Sequence, residues 1–225
     1  MASWMVHLRV ADKLLDRISG ITETEFVMGN IAPDSGIPNE DWSIFTPSSE
    51  VSHFRTTDEN GIKLIHEDWY IEKYFTSEQR MSYNTKQYSF YLGYLVHLLT
   101  DKLWARDIVY PLRLKNLKAY EQNRSEWFCA MKQDWRTLDY FYLKNHTDFR
   151  SFVIYEQAVE FRNTFMDFFA EDAFENRRKY ITELYRKESK TIESKAISLS
   201  EEDIYRFVEN TSNLSERNVL YRHRI

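Results

Sequence analysis

"YLGYLVHLLTDKLWA", residues 91–105, is the stretch on which the fold turns. It is apolar almost throughout and free of proline, apart from one imidazole and one carboxylate, His97 and Asp101. An α-helix repeats every 3.6 residues, so positions four apart share a face. The stretch therefore predicts a buried helix with His97 and Asp101 pointing the same way, one turn apart. Gly93 removes a side chain from that face one turn earlier, and Thr100 and Trp104 border it. Two polar groups on a core-facing stripe either satisfy each other or hold something between them.

Composition extends the helical reading to the rest of the chain. The 225 residues include 15 Tyr, 15 Phe and 6 Trp, ample for a large core, but only 5 Gly and 4 Pro. Sheets need turns and turns need Gly and Pro, so an all-α fold is expected. The formal charge of -5 gives no electrostatic reason to expect a nucleic-acid partner. Cys129 is the single cysteine and fits a reducing compartment. The opening "MASWMVHLRVADKLLDR" meets His7, Arg9, Asp12 and Lys13 before a signal-peptide core could form. No run of about 18 apolar residues occurs. A cytoplasmic protein is the expectation.

Residues 4–18 read as an amphipathic helix carrying Trp4, Leu8, Ala11, Leu15 and Ile18 on one stripe, with His7 on it too. "ITETEFVMGN" reads as a short helix ending at Gly29. "IAPDSGIPNEDWSIFTPSSEVSHF" holds all but one of the prolines and reads as a long irregular loop, a setting often used for function. Helix follows helix from about residue 62 onward. Phe161, Phe165, Phe168 and Phe169 fall at helical spacing within 152–169 and read as core. "ENRRKYITELYRKESKTIESK" reads as a charged helix with a solvated polar face. Ser198 and Glu201 have capping-box spacing, and "RNVLYRHRI" is expected to fray. This organisation predicts a helical metal-binding domain over 1–170 and a helical C-terminal extension over 171–225.

His97 and Asp101, at i and i+4, can converge on one metal, although a histidine paired with a carboxylate is the plainer alternative. His7 on a core stripe, Asp34 after Pro33 in "NIAPDSG" and His53 in "SHF" each have an ordinary reading, as a satisfied core histidine, a turn former and a residue at a loop end. Together, three histidines and two aspartates in core-facing or loop-to-helix settings form a nitrogen- and oxygen-rich set suited to zinc, with iron or manganese as alternatives. His66 in "LIHEDW" competes with His53, and its acidic helical context favours local pairing. Trp42, Phe54 and Trp69 could line a choline-type pocket by cation–π contact, or pack in the core.

"W-x-x-H" at Trp4–His7, "GNIAPDSG", "SHF" and "FYLGYLVHLLTDKLWA" together resemble the zinc-dependent phospholipase C family over residues 3–112. Secreted members of that family share an all-helical fold and a trinuclear zinc site with the fungal single-strand nucleases. The resemblance implies that Asp34, His53, His97 and Asp101 hold one metal, and that Asp101 bridges to a second held by His7. It makes Asp34 the candidate general base. The sequence departs from the pattern in two places. Trp4 follows Met-Ala-Ser, so the free tryptophan amine that ligates a metal in secreted members is not expected. Asp107 stands where a histidine is needed after Asp101, and no downstream His-x-x-x-Glu follows. Asp134, Asp139 and His146 are substitutes without compelling spacing. One or two divalent ions are thus expected.

The implied function is metal-dependent hydrolysis of a phosphate ester, lipid or soluble, with no amphipathic basic helix to dock a membrane. The alternative is a non-catalytic, metal-stabilised helical scaffold acting through partners. Histidine–aspartate phosphohydrolases need an adjacent His-Asp pair, which this chain lacks.

Overall fold

A helix this apolar forms where others can surround it, and in the computed structural model Thr85–Trp104 (α6) is the element on which the rest is built. The structure describes residues 1–59, 62–188 and 198–223. Asn84 caps α6: its side chain accepts from the Gln87 N–H, while the Gln87 side chain accepts from the Asn84 N–H. Two helices pack closely on it, Trp4–Leu15 (α1) and Glu23–Ile31 (α2). α1 is buried on nearly every side, not along one stripe, since Met5, Val6, His7, Leu8, Arg9 and Val10 are all inside.

α2 does not stop at Gly29; it runs to Ile31 and tightens into a 3-10 turn over Ala32–Asp34. The glycine serves packing instead. A Cβ on Gly29 would lie 2.1 Å from the Phe90 carbonyl oxygen, and one on Gly93 would lie 2.1 Å from that of Phe26. The α2 and α6 backbones thus meet through two reciprocal glycines.

The expected loop is mostly irregular, but contains the strand pair Ile37–Pro38 (β1) and Phe45–Thr46 (β2) and the single-turn helix Ser49–Ser52 (α3). A second hairpin, Arg55–Thr57 (β3) with Lys63–Ile65 (β4), interrupts the predicted run of helices; Arg55 faces Ile65 in its register. The helices continue as Glu67–Tyr74 (α4), Ser77–Ser82 (α5), Tyr110–Lys115 (α7), Leu117–Gln122 (α8), Arg124–Asn145 (α9), Arg150–Gln157 (α10), Ala173–Glu188 (α11) and Glu201–His223 (α12). Between α6 and α7 the backbone widens to a π turn over Ala105–Val109, just ahead of Pro111, which has no N–H to continue the ladder. The fold is all-α, with two short hairpins among the described residues. No helix among the described residues is long and apolar enough to cross a membrane.

Further local expectations are corrected. The phenylalanine series after α10 is not helical: the Asn163 carbonyl oxygen accepts from the N–H groups of Phe165 and Met166, and its amide donates to the Met166 and Phe169 carbonyls. That side chain takes the backbone bonds a helix would need. The rings still pack inside, with Phe165 stacked 4.1 Å from Phe90. The polar face of α11 is not wholly solvated, because Glu175, Arg177 and Arg178 are buried. Arg178 pairs with Glu175 at 2.7 Å, and Arg177 donates to the Gly36 carbonyl at 2.7 Å. The rest of that charged segment, 189–197, lies outside the described residues.

The cap of α12 is Ser200, not Ser198. Its hydroxyl accepts from the Asp203 N–H, and Asp203 accepts from the Ser200 N–H. Residues 217–223, expected to fray, continue α12, and 224–225 lie outside the described residues. α12 lies along α1, joined by Arg9–Glu201 at 2.6 Å and Lys13–Glu209 at 2.7 Å, and sets Phe207 edge-on against Trp104.

Candidate metal centre

Four features of this framework deliver the five expected site residues. Ser3 caps α1 by accepting from the Val6 N–H, which fixes the turn carrying His7. The 3-10 turn after α2 presents Asp34, the end of α3 presents His53, and α6 presents His97 and Asp101.

The five side chains meet. His7 Nε2 lies 3.3 Å from Asp101 Oδ1, His53 Nε2 lies 3.3 Å from Asp34 Oδ1 and 3.6 Å from Asp101 Oδ2, and His97 Nε2 lies 3.7 Å from Asp101 Oδ2. His53 Nε2 and His97 Nε2 are 3.2 Å apart. The rings of His7 and His97 stack. Two triads, His7–His97–Asp101 and Asp34–His53–His97, each offer ligand atoms within 4.8 Å of one another. All but Asp34 are fully buried.

The outer contacts decide which nitrogens are free. His97 Nδ1 lies 2.7 Å from the Asn30 carbonyl oxygen, which can only accept, so Nδ1 carries the proton and Nε2 presents a lone pair. Burial, helped by the field of His7, pushes the His97 pKa down to about 3, so the ring is neutral. His53 Nδ1 is 3.0 Å from Ser52 Oγ, which leaves its Nε2 facing the two aspartates. Burial pushes the Asp34 and Asp101 carboxyls up, but other effects outweigh it. A hydrogen bond from His53 and the fields of His97 and His53 hold Asp34 below the ordinary carboxylate range. The Met1 amino group and His7 hold Asp101 well below it. The Ala2 N–H donates to Asp101 Oδ1 at 2.7 Å.

Both nitrogens of His7 and Asp101 Oδ2 are buried without a hydrogen-bond partner. Unsatisfied polar atoms of this kind cost a few kcal/mol each in a protein interior, and lone pairs gathered on one small volume are what a cation satisfies. Imidazole and carboxylate donors in this number fit zinc.

The other candidates lie elsewhere. His66 bonds Thr56 Oγ1 at 2.8 Å and stacks on Trp69. His146 bonds the Tyr142 carbonyl and stacks on that ring. Asp107 pairs with Arg106 at the surface. Asp134 accepts from the Ser198 N–H, and Asp139 accepts from Ser3 Oγ and the Tyr185 hydroxyl, both at 2.7 Å. Among the described residues these form no further metal-competent triad. Of the three aromatics considered for a head-group pocket, only Trp42 lines the cleft at the site. Phe54 packs among Tyr70, Tyr74, Tyr94 and Phe168.

That cleft, of about 410 Å³, reaches the cluster at Asp34 and His53 and is also lined by Lys132, Arg136 and Arg177. Sequence reasoning missed these cations and the Asn30 carbonyl. A buried arginine in a charged helix looks like any solvated one, and a backbone acceptor leaves no mark in composition.

Residues 6–216 match the family described as zinc dependent phospholipase C, well beyond the 3–112 that carry the resemblance. No curated protein and no solved structure matches the chain.

Proposed function

The chain belongs to the zinc-dependent phospholipase C family, and from that premise we propose that His7, Asp34, His53, His97 and Asp101 form a metal centre that hydrolyses a phosphate ester in the adjoining cleft. The observation that carries this reading is the set of unpartnered buried atoms, His7 Nε2 and Asp101 Oδ2, beside the lone pair of His97 Nε2 and within reach of His53 Nε2. Asp101 spans the two triads, reaching His7 through Oδ1 and His53 and His97 through Oδ2. One or two divalent ions, zinc above all, match that layout.

When bound, zinc would supply Lewis-acid charge to a phosphoryl group and bring the pKa of a water toward neutrality. The chain's own contribution centres on Asp34. It is the ligand residue that opens on the cleft, with one-tenth of its side chain exposed, and its depressed pKa keeps it ionised at neutral pH. Such a carboxylate orients an attacking water and accepts its proton. The Asn30 carbonyl fixes the ring of His97 and Ser52 that of His53, so the site is oriented before substrate arrives. The substrate is a phosphodiester or phosphomonoester, lipid or soluble.

A metal-stabilised scaffold without catalysis is the second reading, favoured by the engagement of Asp134, Asp139 and His146 in other contacts. Zinc-loaded protein assayed on a chromogenic phosphodiester separates the two. Asp34→Asn should keep its helices and lose at least about 100-fold in turnover. Equal rates in wild type and Asp34→Asn, or no turnover by protein with metal demonstrably bound, would establish the scaffold.

A further inference from the structure

The chain as a whole is acidic, yet the cleft that reaches the histidine–aspartate cluster is also lined by Lys132, Arg136 and Arg177. Lys132, Arg136 and Asp139 fall at i, i+4 and i+7 of α9, so one helix face presents all three to the cleft. Asp139 forms no ion pair with either neighbour; its two oxygens accept from Ser3 and Tyr185. Among the described residues no carboxylate pairs with Lys132 or Arg136, and both side chains are exposed to the cleft. Other exposed cations of the chain, Lys102, Arg150 and Arg186 among them, do pair with carboxylates.

Arg177 adds a second argument. Its guanidinium sits 5.8 Å from the Trp4 ring and 5.5 Å from the Tyr180 ring, and both rings line the same cleft. Aromatic faces of this kind would otherwise cradle a quaternary ammonium. The protein's own cation already covers them, and a choline-type group entering there would meet like charge.

We propose that the cleft selects phosphate esters whose head group carries a second negative charge, a carboxylate or phosphate, received by Lys132 and Arg136 while the phosphoryl group rests against the histidine–aspartate cluster. The inference rests on the reading of that cluster as a phosphate-ester site, and it names the substrate class. Choline-type esters are excluded by the same cations.

Phosphoglycolate and phosphocholine are matched probes, of similar size, each with a phosphate and opposite charge at the far end. Titration calorimetry on the zinc-loaded full chain should show phosphoglycolate binding about tenfold tighter or better, with the margin shrinking as salt is added. In Lys132→Gln/Arg136→Gln the margin should fall to near parity while zinc content and circular dichroism stay unchanged. Equal or tighter binding of phosphocholine, survival of the preference in the double variant, or binding of neither probe would overturn the proposal. Because binding is measured apart from turnover, failure to hydrolyse a phosphodiester bears only on the catalytic reading.

Discussion

The imidazole rings of His7 and His97 lie parallel, 3.8 Å apart with an interplanar angle of 2°, and both address Asp101, one through each carboxylate oxygen. Burial keeps the His97 ring of this pair neutral. A carboxylate shared by two stacked imidazoles is a ligand arrangement suited to a dication.

His97 belongs to both triads and His7 to one. Elemental analysis of purified protein should therefore find metal essentially abolished in His97→Ala. His7→Ala should keep the fraction held by Asp34, His53 and His97. Equal metal content in the two variants would contradict the shared role of His97.

Metal should also stabilise the fold, since the cluster is assembled only in the native state. Free zinc at about 100 times its dissociation constant adds about 2.7 kcal/mol. Melting temperature should rise with zinc and fall with chelator, and both responses should vanish in His97→Ala. A chelator-insensitive wild type would argue against a metal within this cluster.

Gly93→Ala should cost about 3 kcal/mol or more, because the new methyl would lie 2.1 Å from the Phe26 carbonyl oxygen and backbone cannot yield cheaply. Metal affinity should fall with it, as the same crossing brings the Asn30 carbonyl to His97. Gly20→Ala serves as the comparison: its φ of 76° is strained for alanine, but no atom lies within 4 Å, so about 1 kcal/mol is expected. Urea denaturation of the two variants measures the contrast.

Asp139 gives the fold a pH dependence of its own. Burial raises its pKa to about 7 against the lowering effect of its bonds to Ser3 and Tyr185. The native chain then holds a proton that the unfolded chain releases near 3.8, so stability falls as pH rises from about 4 to about 7. The loss amounts to a few kcal/mol. Asp139→Asn, which cannot ionise, should flatten that slope in denaturant titrations at pH 5 and pH 8; an unchanged slope would place the titration elsewhere.

The parts of this molecule that sequence revealed are those where a local period carries the information. His97 and Asp101 share a face because helix geometry demands it, and the all-α fold follows from long apolar periods with few turn residues. Asp34 and His53 came from motif resemblance; nothing local distinguishes them from a turn former and a loop-end histidine. Contacts that join distant segments by backbone atoms were invisible. Gly29 looks like a helix stop until Phe90 is placed against it, and the phenylalanines after residue 160 look helical until Asn163 is seen taking their backbone bonds. Arg177 looked solvated because its acceptor, the Gly36 carbonyl, lies 141 residues away.

That separation bears on the order in which the protein is built. All five candidate ligands lie within the first 101 residues, whereas the cleft is also lined by residues between 132 and 185. During synthesis the ligands emerge first, and the later helices that line the cleft follow only after residue 123. The cleft is therefore complete only once segments made early and late in synthesis have come together.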